Sequence, residues 1–99
     1  MRMLMKVQMP TGAGNDAIKD GSLPQIMASS LEALKAEAAY FTAEHGMRTA
    51  LIIFDMTDSS DIPPAAEPFF QGLDAKITLS PVMNAQEMQA GVGKFMAMG

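Results

Sequence analysis

His45 is the one histidine of the chain, and it stands beside Gly46 between two apolar runs. An imidazole exchanges protons near neutral pH, so a site that needs a general acid or base has one candidate of that type here. A single histidine cannot build a multi-histidine metal site within one chain. Its simplest placement is an exposed turn, with the neighbouring glycine able to take positive φ. Tyr40, Arg48 and Asp55 bracket it with a phenol, a guanidinium and a carboxylate. Tyr40, His45, Arg48 and Asp55 are therefore the candidate ligand-pocket residues, the polar groups on hand to orient a small molecule in otherwise apolar surroundings. None is assigned a catalytic role.

Other patterns point to local structure rather than chemistry. Gly12-Ala13-Gly14-Asn15-Asp16-Ala17 fits the dinucleotide fingerprint G-x-G-x-x-A. The ribose-binding carboxylate that should follow about 20 residues on, at the end of a second strand, is missing. Glu32 and Glu37 fall on or at the end of a helix and Asp55 is too distant, so the glycines read as a turn and a helix start. Asp55, Asp58 and Asp61 recur every third residue, but lack the alternating ligands and glycine of a calcium loop. Carboxylates ahead of a helix are ordinary caps. Met1, Met3, Met5 and Met9 share one strand face with Val7, which reads as an apolar core face rather than a copper(I) site. With no cysteine, thiolate metal sites, disulfides and cysteine nucleophiles are excluded, and no serine sits in a nucleophile elbow. No cofactor and no metal are expected.

The elements that position these groups belong to a chain of 99 residues, enough for one domain, residues 1–99, with one modest core. Hydrophobic residues at 48% and charged ones at 18% mark it as globular rather than disordered. The net charge of −4 and the scattered basic residues leave no electrostatic footprint for nucleic acid. Lys6 and Gln8 interrupt any signal-peptide core, and the longest apolar run, Ala50–Phe54, is far short of the ~20 residues that span a bilayer. A cytoplasmic protein without a membrane partner is expected.

Alternation over Arg2–Met9 predicts a first strand, with Met3, Met5, Val7 and Met9 inward. Asn15 or Asp16 caps a helix that bends or restarts near Ser22, and Ile26, Met27, Leu31 and Leu34 then recur at helical spacing. Arg48–Met56 reads as a strand apolar on both faces from Ala50 to Phe54, hence central and covered on both sides. A second helix starts among Asp58, Ser60 and Asp61, with Pro63 and Pro64 in its first turn and Pro68 limiting or kinking it. Ala75–Val82 is the last strand. Asn84 and Glu87 then open a C-terminal helix as a capping box. Gly91 and Gly93 weaken that helix by about 1 kcal/mol each, so it is expected to rely on docking.

The segment Ala38–Glu44 admits two readings. Alanine and glutamate favour prolonging the preceding helix, which would make the chain alternate strand and helix throughout. Tyr40-Phe41-Thr42 followed by His45-Gly46 favours a hairpin. A two-residue loop would set Glu44 opposite Met47, Thr42 opposite Thr49, Tyr40 opposite Leu51 and Ala38 opposite Ile53, of which the Thr–Thr and aromatic–aliphatic pairs are favourable across strands. The hairpin is the preferred reading, because a helix of about 30 residues is long for so small a domain.

Ala38-Ala39-Tyr40-Phe41-Thr42, Arg48-Thr49-Ala50, Phe54-Asp55-Met56, Ile62-Pro63, Ala66-Glu67-Pro68-Phe69 and Pro81-Val82-Met83-Asn84, with Lys19-Asp20-Gly21-Ser22-Leu23-Pro24, resemble a family of short, uncharacterised bacterial proteins. That family is similar to the ferredoxin-like, dimeric α+β-barrel superfamily. The resemblance implies an α+β fold, a βαββαβ sandwich with a four-stranded antiparallel sheet and an extra C-terminal helix. It carries over no activity. The doubly apolar third strand predicts a homodimer through the open sheet face. Two functions remain open: a homodimeric domain that binds a small molecule, or a cofactor-independent enzyme of the monooxygenase or isomerase kind. The latter, implied by the superfamily, would act on a small, partly aromatic metabolite, with His45 or Tyr40 handling protons.

Overall fold

The computed structural model describes residues 1–99. Strand β1 (Arg2–Gln8) leads into two consecutive helices, α1 (Thr11–Lys19) and α2 (Ser22–Leu34). The hairpin β2 (Ala38–Glu44) and β3 (Met47–Asp55) follows, then a 3-10 turn (Ser59–Asp61) that runs into α3 (Ile62–Leu73). Strand β4 (Lys76–Pro81) and helix α4 (Ala85–Ala97) complete the chain. The strands form one antiparallel sheet in the order β2-β3-β1-β4. This is the ferredoxin-like α+β arrangement, with β1 and β3 central and α4 added.

The sheet takes its inner face from the period-two pattern. Met3, Met5, Val7 and, just past the strand, Met9 are buried, as are Ala50, Ile52 and Phe54 on β3. They pack with Met27 of α2 and with Ala65, Phe69 and Leu73 of α3. Met1 lies outside the strand and is exposed, unlike the methionines whose spacing it shares. Its ammonium pairs with Asp55 at 2.8 Å and donates to the Met56 carbonyl.

Residues 38–44 are a strand, and the hairpin register is the one the two-residue loop dictates: Glu44–Met47, Thr42–Thr49, Tyr40–Leu51 and Ala38–Ile53. His45 and Gly46 both have positive φ, 53° and 76°, as a turn matched to strand twist requires.

The first helix departs from expectation. It starts at Thr11, directly after Pro10, so the Gly12–Gly14 stretch is helical rather than a turn. Arg48 of β3 lies over this stretch: a Cβ on Gly14 would sit 2.7 Å from Nη1, so a larger residue there would push the guanidinium aside. Gly21, at φ 81°, then separates α1 from α2. Likewise α3 continues through Pro68 to Leu73, whose side chain is fully buried. The packed face of α3 holds the helix together although Pro68 donates no backbone hydrogen bond.

Helix α4 opens with the expected capping box: Asn84 Oδ1 accepts from the Glu87 N–H and a Glu87 carboxylate oxygen accepts from the Asn84 N–H. Arg2 also pairs with Glu87. Beyond that anchor nothing in α4 is buried. Met88, Val92, Phe95 and Met96 are 46%, 51%, 71% and 72% exposed, so the helix does not dock on its own sheet or helices. The radius of gyration, 15.9 Å, exceeds the roughly 13 Å of a compact chain this long because α4 projects from the body. No helix is long and apolar enough to cross a membrane.

Candidate ligand cleft

Strand alternation puts residues 39, 41 and 43 of β2 and 48, 50, 52 and 54 of β3 on the helix side of the sheet. Phe41 therefore stands among core positions, opposite Ala50. A large aromatic ring there should be covered, yet Phe41 is 59% exposed. Alanine is a small partner, and the start of α2 does not close over the ring. The result is a cleft of about 370 Å³. Met9, Phe41 and Arg48 line it from the sheet side, Leu23, Pro24 and Met27 from α2, and Thr42 and Thr49 complete the wall. That volume lies within the range of small-molecule sites.

The cleft wall carries one charge, Arg48, and no carboxylate or imidazole. Its guanidinium reaches back onto α1, where Nη2 donates to Asn15 Oδ1 at 2.9 Å and Nη1 to the Thr11 carbonyl at 3.5 Å. Both acceptors are neutral. The other half-buried basic residues are matched to carboxylates: Arg2 to Glu37 and Glu87, and Lys6 to Glu44 at 3.0 Å. Arg48 has no such partner, although the protein carries an excess of acidic residues.

The structure separates the remaining candidates from the sequence. Tyr40 lies on the opposite, open face of the sheet and is 63% exposed. His45 occupies the hairpin turn, with its side chain exposed and Nε2 3.7 Å from the Glu44 carboxylate. Asp55 lies at the far end of β3, roughly 23 Å along the strand from Arg48, and borders a smaller pocket of about 260 Å³ with Leu34, Phe54, Asp61 and Pro64. The four do not converge. Of the cleft residues only Arg48 was a candidate from the sequence; Met9, Leu23, Pro24, Met27, Phe41, Thr42 and Thr49 were not. The signal for them was the pairing of a large inward ring with Ala50.

The three aspartates are also apart in role. Asp58 and Asp61 cap the 3-10 turn reciprocally, while Asp55 holds the N-terminal ammonium. The Ser60 hydroxyl and then its backbone N–H hold the Asp58 carboxyl below the usual carboxylate range. An apolar groove of about 330 Å³ runs between α2 and α3, bordered by Ile26, Ser30, Leu34, Pro64 and Pro68. It contains no charged group.

No family model matches the chain, and no curated protein does. Among solved structures it is similar to 5-chloro-2-hydroxyhydroquinone dehydrochlorinase (TftG) from Burkholderia phenoliruptrix AC1100, in complex with 2,5-dihydroxybenzoquinone. The TM-score is 0.67 over 88% of this chain and 98% of that one, at 18% sequence identity. At that identity the likeness establishes the fold, the ferredoxin-like α+β arrangement that the sequence resemblance implied.

Proposed function

We propose that this protein is a homodimeric domain that binds a small molecule in the cleft between α2 and the β2–β3 edge of the sheet. The observation that carries the proposal is the uncovered Phe41, an aromatic ring at a core position of a packed sheet whose covering helix stops short of it. Burying that ring against a ligand would recover apolar contact that the chain itself does not supply. Native mass spectrometry of the purified protein, with methyl NMR of Met9 and Met27 under a panel of one- and two-ring compounds, tests the proposal. A co-purified small molecule, or shifts confined to those methyls, is the expected result. Unmoved methyls across the panel would overturn it.

The dimer is proposed through the open face of the sheet. Leu4, Leu51 and Ile53 run across the two central strands there, beside the exposed Tyr40. Both faces of β3 are apolar, but the chain places helices on one side only. Sedimentation at micromolar concentration should give a dimer, and Leu51→Lys should give a folded monomer by setting like charges against each other in an apolar contact. A monodisperse wild-type monomer would end this reading.

A second reading, a cofactor-independent enzyme acting on a small, partly aromatic metabolite, draws support from the shared fold, because TftG is an enzyme solved with a quinone. The cleft itself favours binding over proton transfer, since its lining holds no histidine, carboxylate, lysine or tyrosine to act as acid or base. His45 and Tyr40 would serve such an enzyme only from outside the cleft. If turnover is found with any substrate, His45→Ala and Tyr40→Phe separate the two readings: a loss of kcat places proton transfer at that residue.

A further inference from the structure

We infer that the ligand of this cleft is a compact apolar anion, a one- or two-ring body bearing a carboxylate or similar planar oxyanion, with Arg48 taking the charge. The inference rests on the cleft being a binding site, as proposed above, and adds the chemical class of its occupant.

Three observations carry it. The first is charge pairing. Arg48 is half-buried and has no carboxylate within ion-pairing distance, whereas Arg2 and Lys6, the other half-buried cations, each have one. An arginine stripped of part of its water needs an anion, and a chain with net charge −4 has the residues to provide one. None is placed there. The second is donor count. A guanidinium has five N–H groups in a planar fork, and the protein engages two nitrogens, both with neutral oxygens. The remaining donors match the two oxygens of a carboxylate better than they match any neutral group.

The third is positioning. Gly14 leaves room for the guanidinium against α1, where an alanine Cβ would approach Nη1 to 2.7 Å. Asn15 then fixes one edge of the fork. Holding a long side chain in place before the ligand arrives removes part of the entropy cost of binding. The rest of the lining is mainly apolar, with Met9, Leu23, Pro24, Met27 and Phe41 against two hydroxyls, Thr42 and Thr49, the second already donating to the Met47 carbonyl; that fits a ring body better than a polyol and offers no second charge. The net negative charge of the protein repels anions at large, so a preference for one must come from this local arrangement.

The test compares two probes of equal shape, 2-naphthoate and its neutral isostere 2-naphthamide, titrated into the wild-type protein while the Met9 and Met27 methyl resonances are followed. The expected result is that both probes shift these methyls and that naphthoate binds about tenfold more tightly, the usual margin of a charge-assisted over a neutral hydrogen bond. Arg48→Gln should cut naphthoate affinity by about tenfold, erasing its preference over naphthamide, and should weaken naphthamide far less. Gly14→Ala, which keeps the charge but displaces the guanidinium, should erase most of the preference and covers the case in which Arg48→Gln does not fold. Equal affinity of the two probes for the wild type would overturn the anion while leaving the cleft as a binding site. No shift with either probe would overturn the cleft reading and the inference with it.

Discussion

Helices α3 and α4 are nearly matched in length, and each has a reciprocal cap upstream: Asp58 with Asp61 around the 3-10 turn that runs into α3, and Asn84 with Glu87 at the start of α4 itself. Helix α3 buries Ala65, Ala66, Phe69 and Leu73 against the sheet and α2, and α4 buries nothing. Local chemistry therefore fixes where a helix begins, and tertiary packing decides what it is worth. Proline inside α3 is tolerated because four buried side chains hold its turns in place. The glycines of α4 have no such compensation, and its exposed stripe of Met88, Val92, Phe95 and Met96 waits for a surface that its own domain does not offer.

The sharpest way to break the comparison is to remove one aromatic ring from each helix. Phe69→Ala should cost about 3–5 kcal/mol in a denaturant titration, because the ring is fully buried and leaves a cavity. On a total stability of about 5–15 kcal/mol that loss unfolds a sizeable fraction of the protein near physiological temperature. Phe95→Ala should change the stability of a dilute protomer by less than about 0.5 kcal/mol, since the ring is 71% exposed. A loss from Phe95→Ala that grows with protein concentration would show that α4 docks on a second copy.

Legibility in the sequence follows the same division. The hairpin was readable residue by residue, because a two-residue turn at His45-Gly46 leaves one register and a period-two pattern tells the faces apart. The central position of β3 was readable from its two apolar faces. The start of α1 was not, because Gly12 and Gly14 look like loop residues until the Arg48 guanidinium that needs Gly14 is seen lying over it. The position of α4 was not readable either: an apolar stripe says that a face wants cover and is silent about which surface provides it. Of the site, the sequence pointed to Arg48 among other polar hairpin residues. The cleft beside it is a gap between elements, and a gap leaves its trace only in size mismatch, as at Phe41 and Ala50.

A gentler probe replaces glycine in α4. Nothing lies within 4 Å of a Cβ built on Gly91 or Gly93, so alanine at either position meets no clash. Each change should strengthen the helix by about 1 kcal/mol through helix propensity alone. The global unfolding midpoint of an isolated protomer should stay where it is, because α4 contributes no buried surface to it. Amide exchange over residues 86–97 should slow by several-fold instead. A rise in the global midpoint comparable to the local gain would mean that α4 is coupled to the body and that the contrast with α3 is weaker than its burial suggests.

The smallest expected effect is acid fraying, and its sign follows from the two caps. The Asn84 N–H first, and then Arg2, holds the Glu87 carboxyl below its usual range. The Ser60 hydroxyl and N–H do the same for Asp58. A carboxyl that is more acidic in the folded chain than in the unfolded one adds stability above its unfolded pKa, about 4 for these side chains, and loses it as the pH falls through the folded value. Both groups are exposed, so the global contribution is slight. The local response should still differ between the helices. Lowering the pH from 6 to 3 should broaden or shift the backbone amides of residues 85–88 as α4 loses its anchor, while those of residues 62–66 hold, because Ala65 and Ala66 remain buried whatever the state of Asp58. Equal fraying at both helix starts would show that the cap, and not the packed face, sets the stability of α3.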